Sequence, residues 1–293
     1  MGHRGLLQLS AGAVVAVPAT VFAHDAAGSA SSFEPWLYAL LAATAIGYGR
    51  GVAKLWRKAG LGRGIGVADV ARFGAGWTVL VAALLSPIDA IAAHTFSVHM
   101  VQHEMLMVVA APLLVLSRPL EAWAWALPPH AQGALSAAFS ASQIRPVWRR
   151  LTAPASAWSF HALTLWIWHA PALFAAALDN AAVHVLQHTC FFASALVFWW
   201  AALGCRLRAP AATSIALLFT TMLHTSALGL LLTFSPTPWY SPNAPAFLGL
   251  TALEDQQLGG LVMWVPGGFA YLLAGLMIVA TWLAPPRAGQ RSG

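Results

Sequence analysis

Charge is what this sequence most lacks. Of its 293 residues only 8% are Asp, Glu, Lys or Arg, while 59% are hydrophobic; a soluble domain carries about a quarter charged residues. Long uncharged runs recur, each near the roughly 20 residues a helix needs to cross a bilayer. Lipid offers the backbone no hydrogen-bond partner, so each run is expected to be helical. Cysteine is nearly missing as well. Cys190 and Cys205 are the only two, and fifteen positions along one predicted helix set them roughly 22 Å apart, too far for a disulfide. No CxxC pair exists, so a metal site here must be built mainly from other ligands. A basic stripe with interleaved aromatics is also missing, and the formal net charge of +6 therefore does not point to nucleic acid.

The few charges that exist are ordered. The sequence predicts an all-α, polytopic transmembrane bundle with seven spans, roughly 35–55, 70–90, 97–117, 156–178, 183–204, 211–234 and 257–283. Arg50, Lys54, Arg57, Lys58 and Arg63 follow the first span, and Arg118, Arg145, Arg149 and Arg150 follow the third. Arg206 and Arg208 follow the fifth, and Arg287 and Arg291 the seventh. The intervening loops contain no Lys or Arg, which under the positive-inside rule gives an outside N-terminus and a cytoplasmic C-terminus in a bacterial inner membrane. Ahead of the spans, His3 and Arg4 precede an apolar run from Leu6 to Phe22 that ends Val21-Phe22-Ala23. This pattern fits a signal peptide over 1–23 cleaved after Ala23, an uncleaved extra helix being the alternative. Residues 24–34 then form a short periplasmic segment, 35–283 the seven-helix domain and 284–293 a cytoplasmic tail. The Trp- and Pro-rich stretch 119–155 is expected to lie in the membrane interface as a short amphipathic helix. The Pro-rich loop 235–255 is expected to cap the outer surface.

Histidine is plentiful by contrast, with eleven in the chain. On the predicted topology His94, His99, His103, His169, His184, His188 and His224 all fall in the outer half of the membrane. His99/His103 and His184/His188 have i, i+4 spacing, which sets both rings on one helix face about 6 Å apart along the axis. A helix can offer two imidazoles to one ion in this way, and polar residues within spans tend to mark function. The local sequences also match: span three opens His99-Met100-Val101-Gln102-His103 and span five His184-Val185-Leu186-Gln187-His188. Span seven opens Glu254-Asp255-Gln256-Gln257, so a third helix start adds carboxylate and amide groups at the same depth.

The candidate ligands are therefore His99, His103, His184 and His188. Further ligands or supporting groups are His94, His169, His224, Met100, Gln102, Glu104, Gln187, Glu254 and Asp255. Asp89 is another acid near this depth, able to orient a ring N–H or to cap a helix. Imidazole suits zinc, copper, iron and nickel, and Met100, Met105 and Met222 nearby tilt the choice toward Cu(I). Haem is the rival, since histidines on two helices can clamp one iron. Four rings at one level do not fit two stacked haems. A haem-binding oxidoreductase of cytochrome b type is thus the alternative, and a copper or proton transporter a weaker one.

Several segments together resemble the CtaG family of membrane-embedded assembly factors for caa-type cytochrome c oxidase. They are HMVQHEMLMVVAAPLLVLSRP from His99 to Pro119, WIWHAPALFAAAL at 166–178, HVLQHT at 184–189 and LEDQQLGGLVMW at 253–264. The resemblance spans roughly residues 35–283. It implies a seven-helix architecture and a non-enzymatic role in maturing the oxidase by supplying copper to its buried copper centre. The implied partners are oxidase subunits, the lipid bilayer and a periplasmic copper donor. Carried onto this sequence, the metal positions it implies are His99, His103, His184 and His188.

Overall fold

The computed structural model describes residues 35–141, 144–207, 210–240 and 249–283. The expected signal peptide, the 24–34 segment, the 284–293 tail and residues 241–248 of the expected outer cap lie outside the described residues. Every described element is helical. In chain order they are α1 (Pro35–Ala59), α2 (Val67–Leu85), α3 (Pro87–Ala92) and α4 (Phe96–Leu116). Then follow α5 (Pro119–Ala126), α6 (Pro129–Ala141), α7 (Ile144–Leu151), α8 (Pro154–Trp168) and α9 (Pro171–Asp179). The last four are α10 (Ala181–Leu207), α11 (Ala211–Thr233), α12 (Ala252–Trp264) and α13 (Pro266–Leu283).

Five stretches are long and apolar enough to cross a membrane: α2, α4, α10, α11 and the α12–α13 pair. A sixth is formed by α8 and α9, which are bent by 73° at His169-Ala170. The chain is therefore a multi-pass membrane protein. The bend corrects the single straight span expected over 156–178, and its cause is Pro171, which cannot continue the ladder of the helix before it. Proline explains a second break: α2 stops at Leu85, and Ser86 caps α3 by accepting from Ile88 N–H at 3.2 Å, one residue before Pro87. The stretch after α4, expected as one interfacial helix, is three short helices, α5 to α7. Over most of its length α1 follows the first expected span. Its charged second half (Arg50, Lys54, Arg57, Lys58) keeps it below the apolarity of the other spans.

Side chains on the outer faces are apolar, as lipid contact requires. Phe219, Leu223 and Leu231 are exposed on α11, and Leu272, Leu276 and Met277 on α13. Inside, one apolar cluster joins α4, α8, α10, α11 and α13 through Met107, Leu165, Phe191, Phe198, Leu218 and Tyr271. Backbones approach closely between α11 and α12. A Cβ on Gly260 would stand 2.6 Å from the Gly229 carbonyl oxygen, and one on Gly229 would stand 2.8 Å from that of Gly260. Small residues at such crossings are the usual route to tight helix packing in lipid.

Within α4 the middle turn, Met105–Ala110, is π-helical. A π-turn leaves carbonyls without their usual i+4 donor, and these sites often coincide with functional ones. Here the Met107 carbonyl accepts from Trp199 Nε1 of α10 at 2.7 Å. That bond ties the two helices together below their histidine pairs.

Gly260→Ala is expected to cost about 1–3 kcal/mol by overpacking, read as a lowered unfolding midpoint in detergent. Gly275→Ala, whose Cβ would meet nothing within 4 Å, should leave the midpoint unchanged.

Candidate metal centre

The helix that opens the site begins without a cap of its own. Thr95, at the N-cap of α4, makes no side-chain capping bond. The carboxylate of Asp255 on α12 takes its place, accepting from Phe96 N–H at 2.7 Å, Ser97 N–H at 3.0 Å and Ser97 Oγ–H at 2.5 Å. A negative group at a helix N-terminus satisfies its free N–H groups and its dipole together. Asp255 is thus a cap for the site's helix, and its charge is spent on that backbone rather than on an ion. Glu254 beside it closes a capping box with Thr251 and is exposed.

One turn into α4, the rings of His99 and His103 lie 4.3 Å apart, nearly perpendicular. His184 and His188 of α10 lie 4.1 Å apart. Across the helices, His99 is 5.4 Å from His184 and 5.8 Å from His188, and His103 is 5.2 Å from His188. His169, set at the α8–α9 bend, brings a fifth ring to 6.4 Å from His103. Two ligand sets share His188: His99, His103 and His188, and Asp89, His184 and His188, with the ligand atoms of each set within 4.8 Å of one another. Donors held tetrahedrally at about 2 Å from an ion lie roughly 3.3 Å apart, so modest ring rotations bring either set to bonding distance.

Asp89 reaches this place because of the α2–α3 break. Gln102 Nε2 donates both to Asp89 Oδ1 and to the Ala83 carbonyl, each at 2.8 Å. Ala83 is in the last turn of α2, where helical carbonyls lack partners. The Gln of the first His-x-x-Gln-His run therefore holds the carboxylate beside the rings. The second, Gln187, is buried with its amide beside the His99 ring.

Hydrogen bonding also assigns the tautomers. A carbonyl only accepts, so His99 Nδ1–H donates to Ala92 O at 3.3 Å and His169 Nδ1–H to Leu165 O at 2.7 Å. Each then presents a bare Nε2 lone pair. The Nε2 atoms of His99, His103, His169, His184 and His188 are all buried and without a hydrogen-bond partner, as is His103 Nδ1. Buried polar atoms left unpaired are costly, and no protein group pairs with these nitrogens. A cation satisfies such a set, which is why the residues fit a metal ion.

Other sequence candidates fall elsewhere. His94 is exposed and lines a shallow opening with Phe174 and Tyr240. Between that opening and the rings, Phe174 stands 5.1 Å from His99, and Phe96, Phe174 and Tyr240 stack with centroids 4.5–5.2 Å apart. The Tyr240 phenol donates to the His169 carbonyl at 2.6 Å. Burial pushes its pKa up, keeping that donor protonated. Met100 packs in the apolar cluster with Phe96, Phe174 and Leu228, and Met105 and Met222 also pack against apolar clusters. Glu104 turns toward α13, where a Cβ on Gly267 would stand 2.6 Å from its Oε2. His224 belongs to a different neighbourhood, edge-on to Trp158 at 5.5 Å. From sequence alone Asp89 has no ligand role and His169 only a secondary one; the Ser86-Pro87 and Ala170-Pro171 breaks are the signals that bring them in.

A multi-pass helical protein with a buried, histidine-rich, metal-competent site is the class these features define. The chain belongs to the family of cytochrome c oxidase caa3 assembly factors (Caa3_CtaG), whose family model matches residues 46–284. Its place is in oxidase assembly, and it is not an enzyme. No curated protein and no solved structure matches it.

Removing the cap tests how far the site depends on Asp255. Asp255→Ala should destabilise the folded protein by about 2–3 kcal/mol, the loss expected for hydrogen bonds to a charged group. Glu254→Ala should cost no more than about 1 kcal/mol, as for an ordinary cap. Thermal unfolding followed by tryptophan fluorescence in detergent separates the two.

Proposed function

We propose that this protein holds copper at the cluster of His99, His103, His169, His184, His188 and Asp89 and supplies it to the copper centre of cytochrome c oxidase. The observation that carries the proposal is the gathering of five histidines whose Nε2 atoms are buried and lack a hydrogen-bond partner in the protein. Family membership names the client, and an imidazole set is one that copper accepts. Met100, Met105 and Met222 pack in apolar clusters and give no reason to favour the monovalent ion.

The seven-span topology belongs to the same proposal. His99 near the start of α4 and Arg118 just past its end are nineteen residues apart, roughly 28 Å along the axis. The positive-inside rule then sets the basic end in the cytoplasm and the histidines toward the periplasm. Copper would enter past exposed His94, the aromatic stack would keep water from the rings, and Gln102 would hold Asp89 ready to offset the ion's charge. Two overlapping ligand sets sharing His188 allow the ion to change partners without leaving the cluster, as transfer to an oxidase subunit requires. The haem alternative is less well supported, because rings 4.1–5.8 Å apart, flanked by Phe174 and Phe191, leave little room for a macrocycle.

Anaerobic Cu(I) titration of the detergent-purified protein should show tight uptake with no Soret band. The double variant His103→Ala/His188→Ala should weaken the binding at least 100-fold and lower oxidase activity in cells, at unchanged abundance of the assembly factor. Oxidase activity indistinguishable from wild type in that variant would sink the proposal.

A further inference from the structure

The two ligand sets that share His188 differ in chemistry and in depth. His99, His103 and His188 are three neutral imidazoles, all buried. Aromatic rings flank them, Phe174 at 5.1 Å from His99 and Phe191 at 4.5 Å from His103. The other set mixes a carboxylate with two imidazoles, and two of its members, Asp89 and His184, are only half-buried. The carboxylate set therefore lies at the rim of the cluster and the imidazole set inside it.

Asp89 has no counterion in the protein. The ion pairs among the described residues join Arg72 to Asp69 and Arg118 to Glu121, and neither involves Asp89. Its carboxylate takes one hydrogen bond, from Gln102 Nε2 to Oδ1 at 2.8 Å. A carboxylate drawn half out of water without a cation is costly, and the atoms nearest it that lack partners are ligands. His184 Nε2 and His188 Nε2 are both buried and unpaired, and their rings lie 4.1 Å apart. Two imidazoles and one carboxylate, with a further position open, make a donor set that Zn(II) regularly takes.

We infer that Asp89, His184 and His188 form a rim seat for a divalent cation of the Zn(II) or Cu(II) type, separate in preference from an inner Cu(I) seat of His99, His103 and His188, and that Asp89 sets the difference. The inference rests on the copper reading of the cluster. The cost of burying an ion grows with the square of its charge, so a divalent ion on three neutral imidazoles costs about four times as much as a monovalent one. At the rim the carboxylate cancels one of the two charges. Its hard oxygen is also a poorer donor for Cu(I) than imidazole is. One Nε2 serves one ion, so the sharing of His188 makes the two occupancies exclusive. A divalent ion at the rim therefore competes with Cu(I) inside, although the two prefer different ligands.

The test titrates the metal-free full chain in mild detergent with Zn(II), and separately with Cu(I) under anaerobic conditions, each against a chromophoric chelator. Asp89→Asn keeps an oxygen for Gln102 to donate to. It should weaken Zn(II) binding about 100-fold and Cu(I) binding by no more than about 3-fold. His103→Ala should show the reverse pattern, and Zn(II) should displace Cu(I) from wild type rather than add to it. Zn(II) uptake indifferent to Asp89→Asn would overturn the rim seat, as would equal weakening of both ions by each variant. Zn(II) taken up beside retained Cu(I) would overturn the sharing of His188. Wild type that binds Cu(I) but no Zn(II) would overturn the rim seat and leave the copper reading standing. Wild type that binds Zn(II) through Asp89 but no Cu(I) would do the opposite, and binding of neither would overturn both.

Discussion

Hydrocarbon gives no hydrogen bonds, so any polar atom carried below the headgroups must be answered by the protein or by something the protein holds. Much of this bundle obeys by giving a buried group a partner: Trp199 Nε1 meets a π-turn carbonyl, Gln102 Nε2 bridges a carbonyl and a carboxylate, and Asp255 caps a helix that is not its own. Against that background the histidine nitrogens stand out as a class. Their Nε2 atoms are buried and without a partner, and two of the rings, His99 and His169, are oriented by hydrogen bonds on their far sides. The same constraint that makes the chain helical also makes these rings legible as ligands.

Geometry then separates support from ligation more finely than residue type can. Asp89 and Asp255 are both acids near the site. Asp255 is committed to three backbone and hydroxyl donors, whereas Asp89 has only Gln102 and stays close to His184 and His188. His99 and His169 use Nδ1 on carbonyls of their own or neighbouring turns, which decides the nitrogen each can offer. The site is thus assembled from helix ends and helix breaks: the start of α4, the start of α10, the break before α3 and the bend after α8.

Those breaks mark the limit of what the sequence discloses. The two His-x-x-Gln-His runs were legible because helical periodicity alone sets i and i+4 on one face. The basic loops were legible because charge is so scarce. Asp89 and His169 were underrated because a span drawn as a straight rod carries each away from the rings, and a proline-induced bend brings each back. His224 was overrated for the outer cluster because counting residues from a helix end assumes that all helices begin level. Asp255 looked like a ligand because its three partners come from a segment 158 positions away, a pairing that only the packed fold reveals.

The π-turn in α4 has a meaning of its own for how this helix can vary. Its extra residue lets one continuous rod present two phases, one aiming His99 and His103 and the other aiming Leu114 and Val115 into the apolar clusters. Loss of a single residue between Met105 and Ala110 would restore ordinary winding and turn one end against the other by about 100°. The insertion thus acts as a gear between the ligand-bearing half of the helix and its packing half, and a length change there would be felt as a rotation.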